Sequence, residues 1–182
     1  MTTNQREVEI RFKLTPDQRG KILAELKKKG WAPLAVYQSD VYYCHQSFID
    51  AGNEKECPYI VRIRKSDEQA KLAYKSFTGD GSWVEHETGI ENPSEASRIL
   101  EGIGLGAYLT IRKDRLVGKL GALELTIDAI ESLGDFMEME ILTDDVKAGR
   151  AQLIETAKAF GVSNERIITK GYVQLMEEHL RR

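Results

Sequence analysis

The 182-residue sequence predicts an α+β fold: an antiparallel β-barrel of eight or so strands with a charged lumen, and helices packed on its outside. Three observations carry this expectation. Segments of alternating polarity follow one another through mostly hairpin-length connections, the mark of antiparallel strands. Three substantial amphipathic helices need apolar surface to cover. The polar faces of the strands carry ionisable residues in like-signed pairs, where an ordinary solvated face mixes Thr, Ser, Lys, Gln and Glu without order. No stretch reads as a linker or as low complexity, so residues 1–182 are expected to form a single domain.

The elements follow in order. From Glu7 to Leu14 the chain alternates strictly, with Glu7, Glu9, Arg11 and Lys13 on one face and Val8, Ile10, Phe12 and Leu14 on the other; that period is a strand. A helix comes next, with Thr15 as N-cap, Pro16 at the first helical position, Gln18 completing a capping box and Gly30 as the stop. Its apolar stripe is Ile22, Leu23 and Leu26. Strand-like segments lie near 36–43, 58–65, 70–77 and 83–90, with Gly79-Asp80-Gly81-Ser82 as a hairpin turn between the last two. Asn92-Pro93 opens a second helix carrying Ala96, Ile99, Leu100 and Ile103. Three more strands are expected near 107–117, 121–129 and 135–142, then a helix from about Asp144 to Phe160 ended by Gly161, and a short helix near 172–180.

Composition narrows the function. A hydrophobic content of 41% and a charged content of 30% suit a soluble globular protein, and a net charge of -3 argues against a dedicated binder of nucleic acid or anionic membrane, though not against a local basic cavity. No apolar run approaches the roughly 18 residues of a membrane span, and the N-terminal MTTNQREVEI lacks the basic and apolar regions of a secretory signal. The chain is expected to be cytoplasmic, with Cys44 and Cys57 as free thiols; their spacing fits no metal motif.

The charged faces carry the chemistry. The acidic pairs are Glu7/Glu9, Glu85/Glu87 and Glu138/Glu140, with Glu124 and Asp128 on a further strand; the basic pairs are Arg11/Lys13, Arg62/Arg64, Lys71/Lys75 and Lys113/Arg115. Like charges side by side repel unless an opposite charge sits between them. Carboxylate pairs are neutralised by a hard cation such as Mg²⁺ or Mn²⁺, and basic pairs by phosphate, which Arg grips with two donors. A polyphosphate with its metal satisfies both. A solvated outer face with cross-strand salt bridges would carry the same charges; the helices tip the balance. Val8, Ile10, Phe12, Leu123, Leu125, Ile127, Met137, Met139 and Ile141 provide the apolar surface that they cover, which turns the charged faces inward.

These residues resemble a known family. Glu7-Val8-Glu9-Ile10-Arg11 is similar to the N-terminal E-x-E-x-K signature of the CYTH proteins, also called triphosphate tunnel metalloenzymes. The resemblance runs through Asp40-Val41-Tyr42, Arg62/Arg64, Lys75, Glu85/Glu87, Lys113/Arg115 and Asp128 to the LGDFMEMEI segment from Leu133. That segment, with Tyr172 after it, is most similar to the class IV (class 2) adenylate cyclase branch. The resemblance implies an eight-stranded tunnel and a divalent metal on Glu7, Glu9, Glu138 and Glu140. It implies a phosphate grip of Arg11, Lys13, Arg62, Arg64, Lys75, Lys113 and Arg115, with Lys170 at the mouth. Glu85, Glu87 and Asp128 become acidic lining positions that join a second metal or orient water, and Glu9, Lys75 and Lys113 stand with them as catalytic candidates. The signature's lysine is Arg11 here, with Lys13 two residues on, so a role that needs a compact ammonium is displaced.

The implied reaction is positional and electrostatic. In a cyclase the ribose 3′-hydroxyl of ATP attacks the α-phosphate and pyrophosphate leaves; in a hydrolase of tripolyphosphate or thiamine triphosphate, water attacks a terminal phosphate. A non-catalytic polyphosphate-binding module is the third reading, and relatives suggest a homodimer. Several features are set aside. Gly102-Ile103-Gly104-Leu105-Gly106 follows a helix instead of a strand, so it is a helix stop and turn and not a dinucleotide loop. His45, His86 and His179 are unclustered, Trp31 and Trp83 are packing anchors, and Tyr42 and Tyr172 divide between core and substrate contact. The stretch 44–58 has no assigned role.

Overall fold

A computed structural model describes residues 6–67, 69–77 and 83–181; the turn expected at 79–82 lies outside them. The elements are β1 (Arg6–Lys13), α1 (Pro16–Lys28), β2 (Leu34–His45), α2 (Gln46–Asp50), β3 (Tyr59–Ser66), β4 (Gln69–Phe77), β5 (Trp83–Ile90), α3 (Pro93–Gly102), β6 (Leu105–Leu120), β7 (Leu123–Ile130), β8 (Gly134–Thr143), α4 (Val146–Ala159) and α5 (Tyr172–Leu180). Every strand expected from the alternation is present. The five-residue α2 was not expected, because its sequence, QSFID, is too short to show a helical period.

The strands form one eight-stranded sheet in the order β1-β8-β7-β6-β2-β3-β4-β5. The order is open. Closure would need a further ladder between β1 and β5, and the described residues form none, so the barrel expected from sequence is not closed by strand pairing. By contact the chain divides into two compact units, 1–36 with 113–171 and 37–112 with 172–182, and β6 passes from the second into the first.

In the first unit, β1 pairs antiparallel with β8, β8 with β7, and β7 with the second half of β6. The alternation of β1 places Val8, Ile10 and Phe12 opposite Ile141, Met139 and Met137. These residues are buried with Leu125 and Ile127 of β7, Ile22 and Leu26 of α1 and Leu153 and Ala157 of α4 in one apolar cluster. The start of α1 is fixed as its sequence requires: the Gln18 N–H donates to Thr15 Oγ1 at 3.2 Å, and Gln18 Oε1 accepts from the Thr15 N–H at 3.1 Å. α4 approaches β8 closely because residue 149 has no side chain; a Cβ there would lie 2.7 Å from Thr143 Cγ2 and 3.3 Å from Ile141 Cγ2. The helices thus cover one face of these strands and leave the other to charge.

In the second unit, β2, β3, β4 and β5 form antiparallel ladders. Tyr43, Val61 and Ile63 are buried with Leu100 of α3, and Val41, Leu72, Ile90 and Ala96 pack against them. The stripe expected on α3 is only half used: Leu100 is buried, but Ile99 and Ile103 are 59% and 67% exposed. The turn after α3 behaves as a helix stop, with Gly104 at φ +89. Among the described residues no helix is long and apolar enough to cross a membrane.

Candidate active site

The register of the first unit assembles the charges into rungs. Glu140 of β8 faces Glu9 of β1 on one side and Glu124 of β7 on the other, so three carboxylates lie across three adjacent strands. Directly opposed side chains are about 5 Å apart at Cβ, and like charges so placed repel. The consequence is visible on Glu140: burial, followed by the charges of Glu7, Glu124, Glu9 and Glu138, pushes its carboxyl up to about 7. The rung ends on Lys119 of β6, which faces Glu124, and the Arg11 guanidinium pairs with Glu9.

Two residues along β8, the arrangement changes to alternating signs. Glu138 faces Arg11 on β1 and Thr126 on β7. Arg11 Nε donates to Glu138 Oε1 at 2.7 Å, its Nη1 donates to the Lys170 carbonyl at 2.7 Å, and its Nη2 pairs with Glu9. A lysine could not make these contacts together, since it offers one point charge where Arg offers a planar fork; Arg11 in the lysine position of the signature therefore has a structural use. Arg115 Nε and Nη2 grip the two oxygens of Asp128 at 2.7 and 2.6 Å, and Nη2 also reaches Glu138 at 3.0 Å. Asp128 is fully buried and Lys113 is 4% exposed. Glu138 is thus the hinge of a chain that runs Arg11–Glu138–Arg115–Asp128.

The next rung carries Lys13, Phe136, Asp128 and Arg115. Phe136 shares parity with Glu138 and Glu140 and lies buried on the charged face, where the Lys13 ammonium sits 5.7 Å from its ring centroid. Lys170 contributes its carbonyl to Arg11.

The second unit repeats the device. Asp40 of β2 is fully buried opposite Arg64 of β3, which grips it through Nε and Nη2 at 2.7 Å each. The Tyr42 hydroxyl also reaches Asp40, at 3.5 Å; burial, then the Asp40 charge, pushes that phenol up to about 12, so it remains a donor. Arg62 lies opposite the small Ala73, over which its Nη2 approaches Glu87 at 3.5 Å and Glu85 at 3.6 Å. Lys71 pairs with Glu87 at 2.7 Å and Lys75 with Glu85 at 2.8 Å. Burial works to raise the Glu87 carboxyl, but the hydrogen bond and charge of Lys71, with Arg62 and Arg64, hold it below the ordinary value. Arg62 Nε is buried and finds no hydrogen-bond partner among the described residues, which leaves one donor of the basic set unspent.

The structure therefore gathers Glu7, Glu9, Arg11, Lys13, Lys113, Arg115, Asp128, Glu138 and Glu140 in the first unit, and Arg62, Arg64, Lys75, Glu85 and Glu87 in the second. Among the described residues no three His, Cys, Asp or Glu side chains converge as a metal shell. The donor set of the Glu9–Glu140–Glu124 rung nonetheless fits a hard divalent cation, being all carboxylate oxygen with excess negative charge. Two residues gain weight that sequence reasoning withheld. Glu124 completes the rung, and its parity with Asp128 was the available signal. Asp40 anchors Arg64, and the signal was an Asp inside a strand segment otherwise fit for burial. His86, by contrast, lies on the opposite face of β5 as its parity requires, stacked on Tyr74 with centroids 6.5 Å apart.

The chain resembles known proteins over most of its length. The model of the CYTH domain matches residues 5–172. A Methanocaldococcus jannaschii protein, MJ0240, which is named as a supposed adenylate cyclase, is 31% identical over 176 residues, covering 93% of this chain and 97% of its own. Among solved structures, the PH1012 protein of Pyrococcus horikoshii superposes with a TM-score of 0.79 at 22% identity, covering 93% of this chain and 99% of its own. A Hippeastrum protein, HpAC1, described as a supposed adenylyl cyclase with a dominant triphosphatase activity, gives a TM-score of 0.64 at 20% identity, covering 87% of this chain and 88% of its own.

Proposed function

The chain belongs to the CYTH family of triphosphate tunnel enzymes, and from that premise we propose that it processes a linear triphosphate with a divalent metal, Mg²⁺ or Mn²⁺, most closely as an adenylate cyclase that converts ATP to cyclic AMP and pyrophosphate. The observation that carries this reading is the carboxylate rung set two residues from a network of paired guanidiniums on the same face. A solvated sheet face has no use for three opposed carboxylates, whereas a metal-bound triphosphate needs acid and base in that adjacency.

Glu7, Glu9, Glu140 and Glu124 are assigned to the metal. Bound there, the cation supplies neutralisation of the carboxylates and polarisation of phosphoryl oxygens. Glu138 already holds two guanidiniums; in this reading it sets their spacing, and it joins the metal only by releasing one of them. Arg11 and Arg115 take phosphate oxygens in exchange for Glu138, with Asp128 keeping the Arg115 fork oriented as a positioning residue. Lys113 and Lys13 add positive charge beside them, and Lys170 stands at the end of the set. Arg62, Arg64, Lys71 and Lys75 are assigned the same class of ligand, with the unspent Arg62 Nε as a donor for a phosphate oxygen. Glu85 and Glu87 hold Lys75 and Lys71 extended until an anion replaces them. Exclusion of bulk water from either face by the bound anion would strengthen each charge contact.

A hydrolase of tripolyphosphate or thiamine triphosphate is the second reading, favoured by the dominant triphosphatase activity ascribed to the Hippeastrum protein. Both readings use the same grip and differ in the nucleophile: the ribose 3′-hydroxyl on the α-phosphorus, or water on a terminal phosphorus. Incubating the purified protein with ATP, tripolyphosphate and thiamine triphosphate, each with Mg²⁺ and with Mn²⁺, separates them. Cyclic AMP formed together with pyrophosphate supports the cyclase, and release of inorganic phosphate supports the hydrolase. Tight tripolyphosphate binding without turnover under either metal would overturn both in favour of a binding module.

A further inference from the structure

We infer that Arg166 is a positioning residue for the phosphate grip: it pins the strap 166–170 along the outer edge of β1, where the Lys170 carbonyl orients the Arg11 guanidinium. The inference rests on the reading of Arg11 as a phosphate ligand. β1 is the first strand in the sheet order, so its outer edge carries backbone groups that β8 does not use. The chain between α4 and α5 returns to that edge. Ile168 forms an antiparallel bridge with Arg11, and its N–H donates to the Arg11 carbonyl at 2.8 Å. Two residues before it, Arg166 Nη2 donates to the Lys13 carbonyl at 2.7 Å and to Gln18 Oε1 at 3.0 Å. Two residues after it, the Lys170 carbonyl accepts from Arg11 Nη1 at 2.7 Å. Ile167, of opposite parity, packs against the apolar cluster. All of these residues belong to the first unit.

One side chain thus joins the strap to the end of β1 and to the first turn of α1, where Gln18 already closes the capping box on Thr15. Without that guanidinium the strap is left with its bridge at Ile168, and an isolated bridge at a sheet edge opens readily. Arg11 then loses a fixed acceptor. Its Nε and Nη2 are held by Glu138 and Glu9, the carboxylates that an anion and its metal would disturb. The Lys170 carbonyl carries no net charge and stays in place while they are drawn away. It is the contact that keeps the guanidinium aimed through the exchange, and a donor fixed in advance costs less to use. Protection of the sheet edge would be served by the backbone bridge alone; it gives no reason for a strap carbonyl to meet a side chain of the charged face. Coupling of this kind is reciprocal: a pinned strap favours the anion, so the anion favours the pinned strap.

The test measures tripolyphosphate binding with Mg²⁺ by calorimetry for the full chain as wild type, Arg166→Met, Arg11→Met and the double variant. Arg166→Met keeps the aliphatic stem and should weaken binding about three- to tenfold, the range that one hydrogen bond commands. In the Arg11→Met background the same change should cost less than about twofold, because the carbonyl has no guanidinium left to orient. Equal losses in both backgrounds would overturn the inference, since Arg166 would then act by some route other than Arg11. Amide exchange gives a second reading on the wild type alone, which stands even if a variant fails to fold. Saturating tripolyphosphate should slow exchange at the Ile168 N–H more than at the Gln46 N–H, which donates to the Gly104 carbonyl in the second unit. Exchange at Ile168 that is unchanged or faster with the anion would likewise overturn it. A wild type that binds no tripolyphosphate overturns the functional reading and this inference with it; a wild type that binds, beside an Arg166→Met that binds equally well, overturns the inference alone.

Discussion

Replacing Glu140 with Gln should make the metal-free protein more stable, by a margin that grows as pH rises from about 4.5 to about 7. In the native state burial and the charges of Glu7, Glu124, Glu9 and Glu138 raise this carboxyl from 4.5 to about 7. A raised carboxyl binds its proton more tightly folded than unfolded, so its contribution is fully present below about pH 4.5 and is lost as pH rises through about 7. At 1.36 kcal/mol for each tenfold change in proton affinity, the loss by pH 8 is about 3 kcal/mol. The side chain retains part of its hydration, and allowing for solvent screening leaves about 1–2 kcal/mol. Gln fills the same volume and stays neutral throughout. Urea unfolding of wild type and Glu140→Gln, without divalent ions, should therefore coincide near pH 4.5 and separate by about 1–2 kcal/mol in the variant's favour at pH 8. Excess Mg²⁺ at pH 8 should narrow or reverse the gap, because only the wild type keeps the full carboxylate rung. A variant as stable as wild type or less so at pH 8 would refute the reasoning, since it would mean that burial and the neighbouring carboxylates do not hold the Glu140 carboxyl up.

Other substitutions test the remaining parts. Glu9→Ala should abolish metal-dependent turnover in the phosphate and cyclic AMP assays; full retained activity would sink the metal assignment. Asp128→Asn should destabilise by about 3–5 kcal/mol in urea unfolding, because it removes the bidentate partner of a half-buried Arg115. Arg62→Ala should weaken tripolyphosphate binding about tenfold by calorimetry, the loss expected for one charge-assisted donor, and leave the melting temperature within a few degrees. Gly149→Ala should destabilise by about 1–3 kcal/mol, read as a lowered melting temperature, since the added methyl meets Thr143 at 2.7 Å.

Much of the fold was legible because this sequence is locally consistent. The Thr15–Gln18 capping box, the Asn92 cap before Pro93 and the positive-φ glycines Gly30, Gly104 and Gly161 each mark a boundary where the structure places one. Strand parity fixed which side chains share a face, and that sufficed to collect the charged residues. It could not say which residue faces which across a ladder. The opposition of Glu140 to both Glu9 and Glu124, and the placing of Glu138 between Arg11 and Arg115, depend on register between strands that are far apart in sequence. Barrel closure was unreadable for a similar reason, since alternation describes a strand's two faces and is silent about its edges. α2 escaped because five residues cannot display a period.

The two buried aspartates give that register its purpose. Asp40 and Asp128 each sit at 0% exposure and each spend both oxygens on one arginine, Arg64 and Arg115. As a source of stability this is a poor device, because desolvating both charges offsets most of their attraction and apolar replacements of similar volume often do as well. As a source of position it is a good one. A guanidinium gripped through Nε and one Nη is fixed in plane and direction. Arg11 is built otherwise, shared among Glu9, Glu138 and the Lys170 carbonyl, and its carboxylate partners lie on or beside the rung assigned to the metal. The distinction separates anchored cations from exchangeable ones. Under the proposed function, Arg64 and Arg115 keep their aspartates when a triphosphate binds, whereas Arg11, Lys71 and Lys75 must surrender glutamates to it. Raising the salt concentration should therefore weaken tripolyphosphate binding through the exchangeable set. Lys75→Ala should flatten that salt dependence while Asp40→Asn instead lowers stability; equal salt slopes in wild type and Lys75→Ala would refute the division.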